Sequence, residues 1–192
     1  MLNELLISKV RVKILELFLS TPEANFHVRD IVRRVSEEIN AVRRELARLE
    51  KIGLLASEWR ANRRFYSVKK DFIFYPELLS IINKTVGLGG ALIKNKAKLG
   101  KVRYAMLSGS FVRGKPFNQN DVDLFIVGTI VLPELGSLVR DEEARRDREI
   151  NFTPMTEEEF NFRKNRRDPF VISILAKPRV MLIGDEEEMV KL

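Results

Sequence analysis

The stretch Ser-Gly-Ser-Phe-Val-Arg-Gly-Lys-Pro-Phe-Asn-Gln-Asn-Asp-Val-Asp-Leu-Phe-Ile-Val, residues 108–127, decides the fold of the second half of this chain. An apolar run ends before it, a small-residue turn follows at Gly109 and Ser110, and Asp121 and Asp123 precede a second apolar run. If that second run is a strand, its period of two places both carboxylates on one face, with Cα atoms roughly 6.5 Å apart. At that distance both side chains can contact one hard cation, and Mg2+ prefers a few carboxylates plus substrate phosphates.

The turn between the two runs adds a second feature to this pattern. If a short helix begins at Ser110, the backbone N–H groups at its start point toward an anion such as a phosphate. Asp-x-Asp taken alone is most often structural, so the prediction depends on strand, turn, spacer and strand occurring in this order. Together these residues predict a phosphate site that faces a metal-binding carboxylate pair.

In these residues the chain resembles the nucleotidyltransferases of the DNA polymerase beta superfamily, in particular the small stand-alone type. The shared signature is Gly-Ser, a spacer and then Asp-x-Asp, with a strand on each side. The resemblance implies an α/β domain with a mixed sheet in which Asp121 and Asp123 are catalytic and hold Mg2+, with a nucleoside triphosphate as the substrate. It further implies that the phosphates contact Gly109, Ser110, Arg113 and Lys115.

Transferring members of this superfamily use a third carboxylate on an adjacent strand, and the chain is ambiguous there. In the segment 149–153 the alternation places Glu149, Asn151 and Thr153 on one face of a predicted strand. The resemblance expects aspartate at Asn151, and an amide cannot take a proton from an attacking hydroxyl as a carboxylate can. Either Glu149 supplies the catalytic base or the site is degenerate, and both interpretations stay open.

The composition excludes several other kinds of site. The chain has no cysteine, which excludes disulfides, thiolate metal sites and a cysteine nucleophile. Its one histidine, His27, argues against histidine-based zinc sites and a Ser-His-Asp triad. No apolar run approaches the length of a membrane span, so we expect no membrane partner and a cytoplasmic location.

The positive charge is concentrated at one end of the chain. The formal net charge is +7, and residues 1–70 hold 15 Lys and Arg against 9 Asp and Glu. Residues 71–192 are nearly balanced, with 19 basic against 18 acidic side chains. A basic excess confined to one segment indicates that this segment contacts a polyanion.

The first seventy residues are predicted to form three helices and a β-hairpin. The third helix follows from an apolar stripe at helical spacing, with Ser36 as its cap and Gly53 at its end. The stripe consists of Ile39, Val42, Leu46 and Leu49. The hairpin follows from strand-like runs at 54–60 and 64–68, with Trp59 expected to pack it against the helices.

Three helices followed by a basic hairpin resemble a winged helix-turn-helix domain over about residues 5–70. The resemblance implies binding to double-stranded DNA and a role in transcription regulation. Arginine and asparagine side chains suit both phosphate contacts and readout of guanine and adenine edges. The expected DNA-contacting residues are Asn40, Arg43, Arg44 and Arg48 on the helix and Arg60, Arg63 and Arg64 on the hairpin.

The sequence therefore predicts two domains, an α+β winged helix at 1–70 and an α/β nucleotidyltransferase-like domain at 101–192, joined by linker helices at 71–100. The linker helix has more apolar side chains than a single helix can bury, which predicts a homodimer. These side chains are Leu78, Leu79, Ile81 and Ile82. The expected function is a DNA-binding transcriptional regulator whose second domain binds or transfers a nucleotide with Mg2+. The alternatives are a non-catalytic nucleotide-sensing or dimerisation module and a minimal nucleotidyltransferase that modifies a partner protein.

Overall fold

A computed structural model describes residues 8–116 and 118–191 of the chain. Within them it has ten helices and two sheets, of three and four strands. The chain divides into two compact units, residues 1–85 and 86–192, and the division falls inside the predicted linker. None of the helices in the described part combines the length and apolar character needed to cross a bilayer.

The first unit contains four helices and an antiparallel sheet. Its elements are α1 (Lys9–Ser20), β1 (Phe26–His27), α2 (Val28–Val35), α3 (Ile39–Lys51), β2 (Leu55–Arg60), β3 (Arg63–Val68) and α4 (Tyr75–Thr85). The strand order is β1-β3-β2, and β2 pairs with β3 up to Arg60 opposite Arg63. The predicted hairpin is therefore confirmed.

The third helix is confirmed, but its predicted cap is wrong. Ser36 adopts a left-handed backbone with φ 52° and ends α2 by donating its N–H to the Val32 carbonyl. The carboxylate of Glu38 caps α3 by accepting from the Ala41 N–H at 2.9 Å. The chain must reverse between the two helices, and the left-handed residue makes that turn possible.

The predicted linker helix packs within the first unit. In α4 the side chains of Leu79 and Ile82 are buried, and the helix contacts α1. Ile81 remains 37% exposed. Because part of its apolar face is already covered, this helix supports the homodimer less than the sequence suggested, and the homodimer stays a prediction.

A buried carboxylate joins α3 to the start of α1. Glu45 is 5% exposed and accepts hydrogen bonds from Ser8 Oγ (3.1 Å), Arg11 Nε (2.9 Å) and Arg48 Nη1 (3.0 Å). Burial alone would raise the pKa of Glu45, but these bonds and the two guanidinium charges outweigh it and hold the pKa below its ordinary value. The ionised form is therefore favoured in the folded protein.

We expect Glu45→Gln to lower the free energy of unfolding by about 2 kcal/mol, because it leaves Arg11 without its partner. A depressed pKa gives stability above the ordinary glutamate pKa that is lost as the pH falls through the folded value. The variant should therefore show a shallower loss of stability in acid, measured by urea unfolding across pH. Glu23→Gln, which removes an exposed pair with Lys70, is the control, and an equal effect in both variants would contradict the prediction.

The second unit is built on a four-stranded mixed sheet, as predicted. Its elements are α5 (Gly87–Lys94), β4 (Gly100–Ser108), α6 (Gly109–Val112), β5 (Leu124–Ile130), α7 (Leu132–Arg146), β6 (Phe152–Met155), α8 (Glu157–Asn165), α9 (Pro169–Ala176), β7 (Arg179–Ile183) and α10 (Glu186–Val190). The order is β6-β5-β4-β7, with β5 and β6 parallel and the other pairs antiparallel. The short helix after β4 is confirmed and begins one residue earlier than predicted.

Alternation along the two central strands builds the core of this unit. Tyr104 and Met106 on β4 and Phe125 and Val127 on β5 are buried on one face, where they cluster with Phe160 of α8. The intervening residues face the other side of the sheet and are also buried. Both faces of the sheet are therefore covered, which explains why β5 reads as a continuous apolar run.

The strand pairing brings four chain segments to one edge of the sheet. Leu107 at the end of β4 lies opposite Leu124 at the start of β5. Leu124 in turn lies beside Phe152 at the start of β6, and Ser108 lies opposite Arg179 at the start of β7. The residues just outside these positions therefore converge.

Candidate functional sites

Three of the seven predicted DNA-contacting residues are held by carboxylates of the first unit. Arg48 pairs with Glu45, Arg60 pairs with Glu58, and Arg64 contacts both oxygens of Glu50 at 2.8 and 2.9 Å. The guanidinium of Arg64 also lies over the Tyr66 ring, with 5.3 Å to its centroid. Each of these arginines forms a neutral pair with a carboxylate that also orients its side chain. They are therefore weaker candidates for contacting an anion.

The other four residues are exposed. They are Asn40, Arg43, Arg44 and Arg63. In the part of the chain that the structure describes, none of the three arginines forms a salt bridge. The pKa of Glu38 is lowered mainly by the backbone N–H groups of Asn40 and Ala41, and the nearby charges of Arg43 and Arg44 contribute. Because these exposed guanidinium groups form no salt bridge, they stay accessible to an external anion.

One cleft collects several of these side chains. This arginine groove, of about 670 Å3, is lined by Arg29, Arg43, Arg63, Arg64, Trp59 and Tyr66 together with smaller residues. Arg29, at the start of α2, is exposed and was not predicted, because the sequence signals for a basic surface lay in α3 and the hairpin. The groove lies between α3 and the hairpin, and three guanidinium groups that form no salt bridge among the described residues contribute to it.

The expected packing role of Trp59 is wrong. Its side chain is 69% exposed and lies on β2 opposite Arg64. Burial along β2 falls from Leu55 toward Arg60, so the outer end of the hairpin is not packed against the helices. Trp59 is the only tryptophan of the chain, so its fluorescence reports on the groove alone.

In the second unit, Asp123 is buried beside an arginine. Its side chain is 5% exposed, and Oδ2 accepts from Arg148 Nη2 at 2.8 Å and from the Asn151 N–H at 3.2 Å. Burial raises the pKa of Asp123 above its ordinary value, and the guanidinium and the N–H group oppose that rise only in part. The residue precedes β5 instead of lying within it, because the strand begins at Leu124.

Asp121 is held by a lysine from the far end of the unit. Its Oδ1 accepts from Lys177 Nζ at 2.8 Å, and Asn118 Nδ2 approaches its Oδ2 at 3.4 Å. Lys177 lies between α9 and β7, which the strand pairing brings to this edge. Both carboxylates of the Asp-x-Asp pair are thus paired with basic side chains.

Asn151 lies where the resemblance expects the third carboxylate. Its Nδ2 donates to the carbonyl oxygens of Asp121 (3.0 Å), Asn118 (3.2 Å) and Gln119 (3.3 Å). Its own carbonyl accepts from the N–H groups of Asp123 and Leu124. The amide therefore joins the loop before β5 to the entry of β6, a role that needs a donor and that a carboxylate cannot perform.

Arg148 connects three segments at this edge. Besides Asp123, it donates to the carbonyl oxygens of Lys115 (2.9 Å) and Glu149 (3.2 Å), and its guanidinium lies 5.3 Å from the centroid of the Phe111 ring. The arginine thus fixes the loop after α6 and the chain before β6 to the buried aspartate.

The four residues predicted to bind phosphate differ in how accessible they are to a ligand. Gly109 donates its N–H to the Pro178 carbonyl at 2.7 Å, and a Cβ atom there would lie 2.9 Å from the same oxygen. Its glycine character therefore follows from close packing on Pro178. Arg113 and Lys115 are exposed, and Ser110 Oγ lies 3.0 Å from Ser108 Oγ.

The proposed base Glu149 lies outside a strand, since β6 begins only at Phe152. It is exposed, and its side chain makes no hydrogen bond or ion pair with the described residues. The neighbouring carboxylate cleft, of about 540 Å3, is lined by Gln119, Asn120, Asp121, Asn151, Phe152 and Phe170, among others, without Glu149. The structure therefore brings Asp121 and Asn151 together in a cleft that Glu149 does not line.

The donor set at this edge differs from the one that Mg2+ prefers. Over residues 8–116 and 118–191, no group of three or more acidic or histidine side chains is arranged to hold a metal ion. The two aspartates have basic partners, and the nearby amide of Asn151 presents N–H groups instead of a carboxylate. Sequence reasoning missed Arg148 and Lys177, because only the strand pairing brings them beside the aspartates.

We expect Asn151→Asp to lower the free energy of unfolding by on the order of 2 kcal/mol, because a carboxylate would face three carbonyl oxygens and lose the donated bonds. Chemical unfolding in the presence of a chelator measures the loss. Asn120→Asp adds the same charge to the same loop at an exposed position and should be nearly neutral. An Asn151→Asp protein as stable as this control would show that the amide does not hold the loop.

No protein-family model matches this chain, and neither curated proteins nor solved structures give a match.

Proposed function

We propose that the first unit binds double-stranded DNA and that the protein regulates transcription. The observation that carries this proposal is the arginine groove, in which Arg29, Arg43 and Arg63 form no salt bridge among the described residues. A helix and a hairpin border the groove, and both can reach a duplex when the helix enters the major groove. The basic excess of residues 1–70 supports the same conclusion.

The arginines divide into two roles in this proposal. Arg43 and Arg44, on the exposed face of α3, are placed for contacts with base edges or nearby phosphates, and Arg29 and Arg63 extend the charge to either side. Arg48 and Arg64 form salt bridges with Glu45 and Glu50. We therefore expect them to define the shape of the protein surface next to the DNA more than to contact the DNA directly.

We expect Arg43→Ala and Arg63→Ala each to raise the Kd for duplex DNA on the order of tenfold, because each removes a contact worth about 1–3 kcal/mol. Fluorescence anisotropy of a labelled duplex measures Kd, which should rise with salt by roughly 0.9 log unit per log unit for each phosphate neutralised. Quenching of Trp59 fluorescence should follow the same binding curve.

Arg33→Ala is the matched control for these two variants. Arg33 is exposed in the same unit, but it pairs with Asp30 and does not line the groove. A Kd that responds to neither salt nor Arg43→Ala, or that responds equally to Arg33→Ala, would contradict DNA binding by the groove.

For the second unit, the geometry favours a non-catalytic binding module over a transferase. Asp121 and Asp123 are occupied by basic side chains, and Glu149 does not line the cleft beside them. The carboxylate cleft instead combines amide groups with two partly exposed rings, Phe152 at 37% and Phe170 at 40%. Such a lining suits a flat heteroaromatic group with polar edges, as in a nucleotide base.

We expect a nucleoside triphosphate to bind in a chelator-containing buffer, with about tenfold weaker binding for Phe170→Ala because a stacking surface is lost. Isothermal titration calorimetry measures the affinity. Phe162→Ala is the control, since this ring is 57% exposed on α8 and lies outside the cleft. Transfer of a labelled nucleotide to DNA, to protein or to this chain itself would contradict the non-catalytic interpretation and restore that of a transferase.

A further inference from the structure

We propose that Arg148 and Lys177 supply the positive charge that a divalent cation would otherwise bring to Asp121 and Asp123. The two aspartates therefore bind no divalent cation in the folded protein. The proposal does not depend on nucleotide binding. It concerns only what neutralises the two aspartates, and it reverses the expectation drawn from the Asp-x-Asp pattern.

The charges at Asp121 and Asp123 are balanced within the protein. Two carboxylates and two basic side chains meet at one edge of the sheet, in contacts of 2.8 Å each. A carboxylate pair binds a divalent cation because the negative charges repel each other in the absence of a counterion. Here each aspartate already has a counterion from the chain, so an incoming cation would have to displace a guanidinium or an ammonium group.

The two ion pairs differ in burial. The side chains of Asp123 and Arg148 are 5% and 18% exposed, whereas those of Asp121 and Lys177 are 31% and 55% exposed. Removing Arg148 from Asp123 would leave a buried carboxylate without its strongest partner, which is costly. The exposed pair can open more easily, but Asp121 alone offers a cation only one carboxylate.

Arg148 is held by other contacts besides Asp123. Its guanidinium also donates to the carbonyls of Lys115 and Glu149 and lies over the Phe111 ring. A metal that displaced it would have to break these contacts as well. Asn151, at the position expected for a third carboxylate, offers a cation no carboxylate either. Both hydrogens of its amide face backbone carbonyls.

The test is Mn2+ binding to the whole chain, followed by the electron paramagnetic resonance signal of the unbound ion. We expect the parent protein to bind no stoichiometric Mn2+ up to about 1 mM and Arg148→Gln/Lys177→Gln to bind one ion at least about tenfold more tightly. Arg140→Gln/Lys101→Gln is the control. It removes the same charge at exposed positions that form no salt bridge in the described part of the chain.

Two outcomes would overturn the proposal. One is tight Mn2+ binding by the parent protein that is lost in Asp121→Asn. The other is a folded Arg148→Gln/Lys177→Gln protein, judged by circular dichroism, that binds Mn2+ no better than the control. If this double variant does not fold, the parent protein and Asp121→Asn decide the question. Lys177→Gln, which leaves the buried pair intact, should then still bind no stoichiometric ion.

Discussion

Asp123 lies where three strands begin or end, with a side chain only 5% exposed, and its charge would be unstable there without the guanidinium of Arg148 at 2.8 Å. Its backbone joins the sheet on both sides, since its carbonyl accepts from Ser108 and its N–H donates to Asn151. Through Arg148 the same aspartate fixes the loop after α6. The pair therefore ties the loop after α6 and the entry of β6 to the start of β5.

The two units use arginine in different ways. In the second unit Arg148 is partly buried against a carboxylate, where a planar guanidinium can satisfy several acceptors at once. In the first unit Arg29, Arg43 and Arg63 are exposed along a groove and form no salt bridge with a described acidic side chain. The exposed basic side chains of the first unit are therefore accessible to a polyanion. In the second unit, the negative charges of Asp121 and Asp123 are neutralised by Lys177 and Arg148.

Local patterns predicted most of the elements, because periodicity, turns and caps act over a few residues. The hairpin, the third helix of the first unit and the helix after Ser108 followed from such signals. The site was harder to predict, since Lys177 reaches Asp121 across 56 positions and only the pairing of β4 with β7 makes that contact possible. Trp59 was predicted to pack the hairpin against the helices, but burial falls along β2 toward Arg60 and the ring is exposed.

The most direct measurement is a crystal structure grown with Mn2+, whose anomalous scattering locates the ion independently of any functional assay. We expect no anomalous peak within coordination distance of Asp121 and Asp123, with Lys177 and Arg148 still in contact with them. An anomalous peak about 2.1 Å from both carboxylates, with Arg148 turned away, would contradict it.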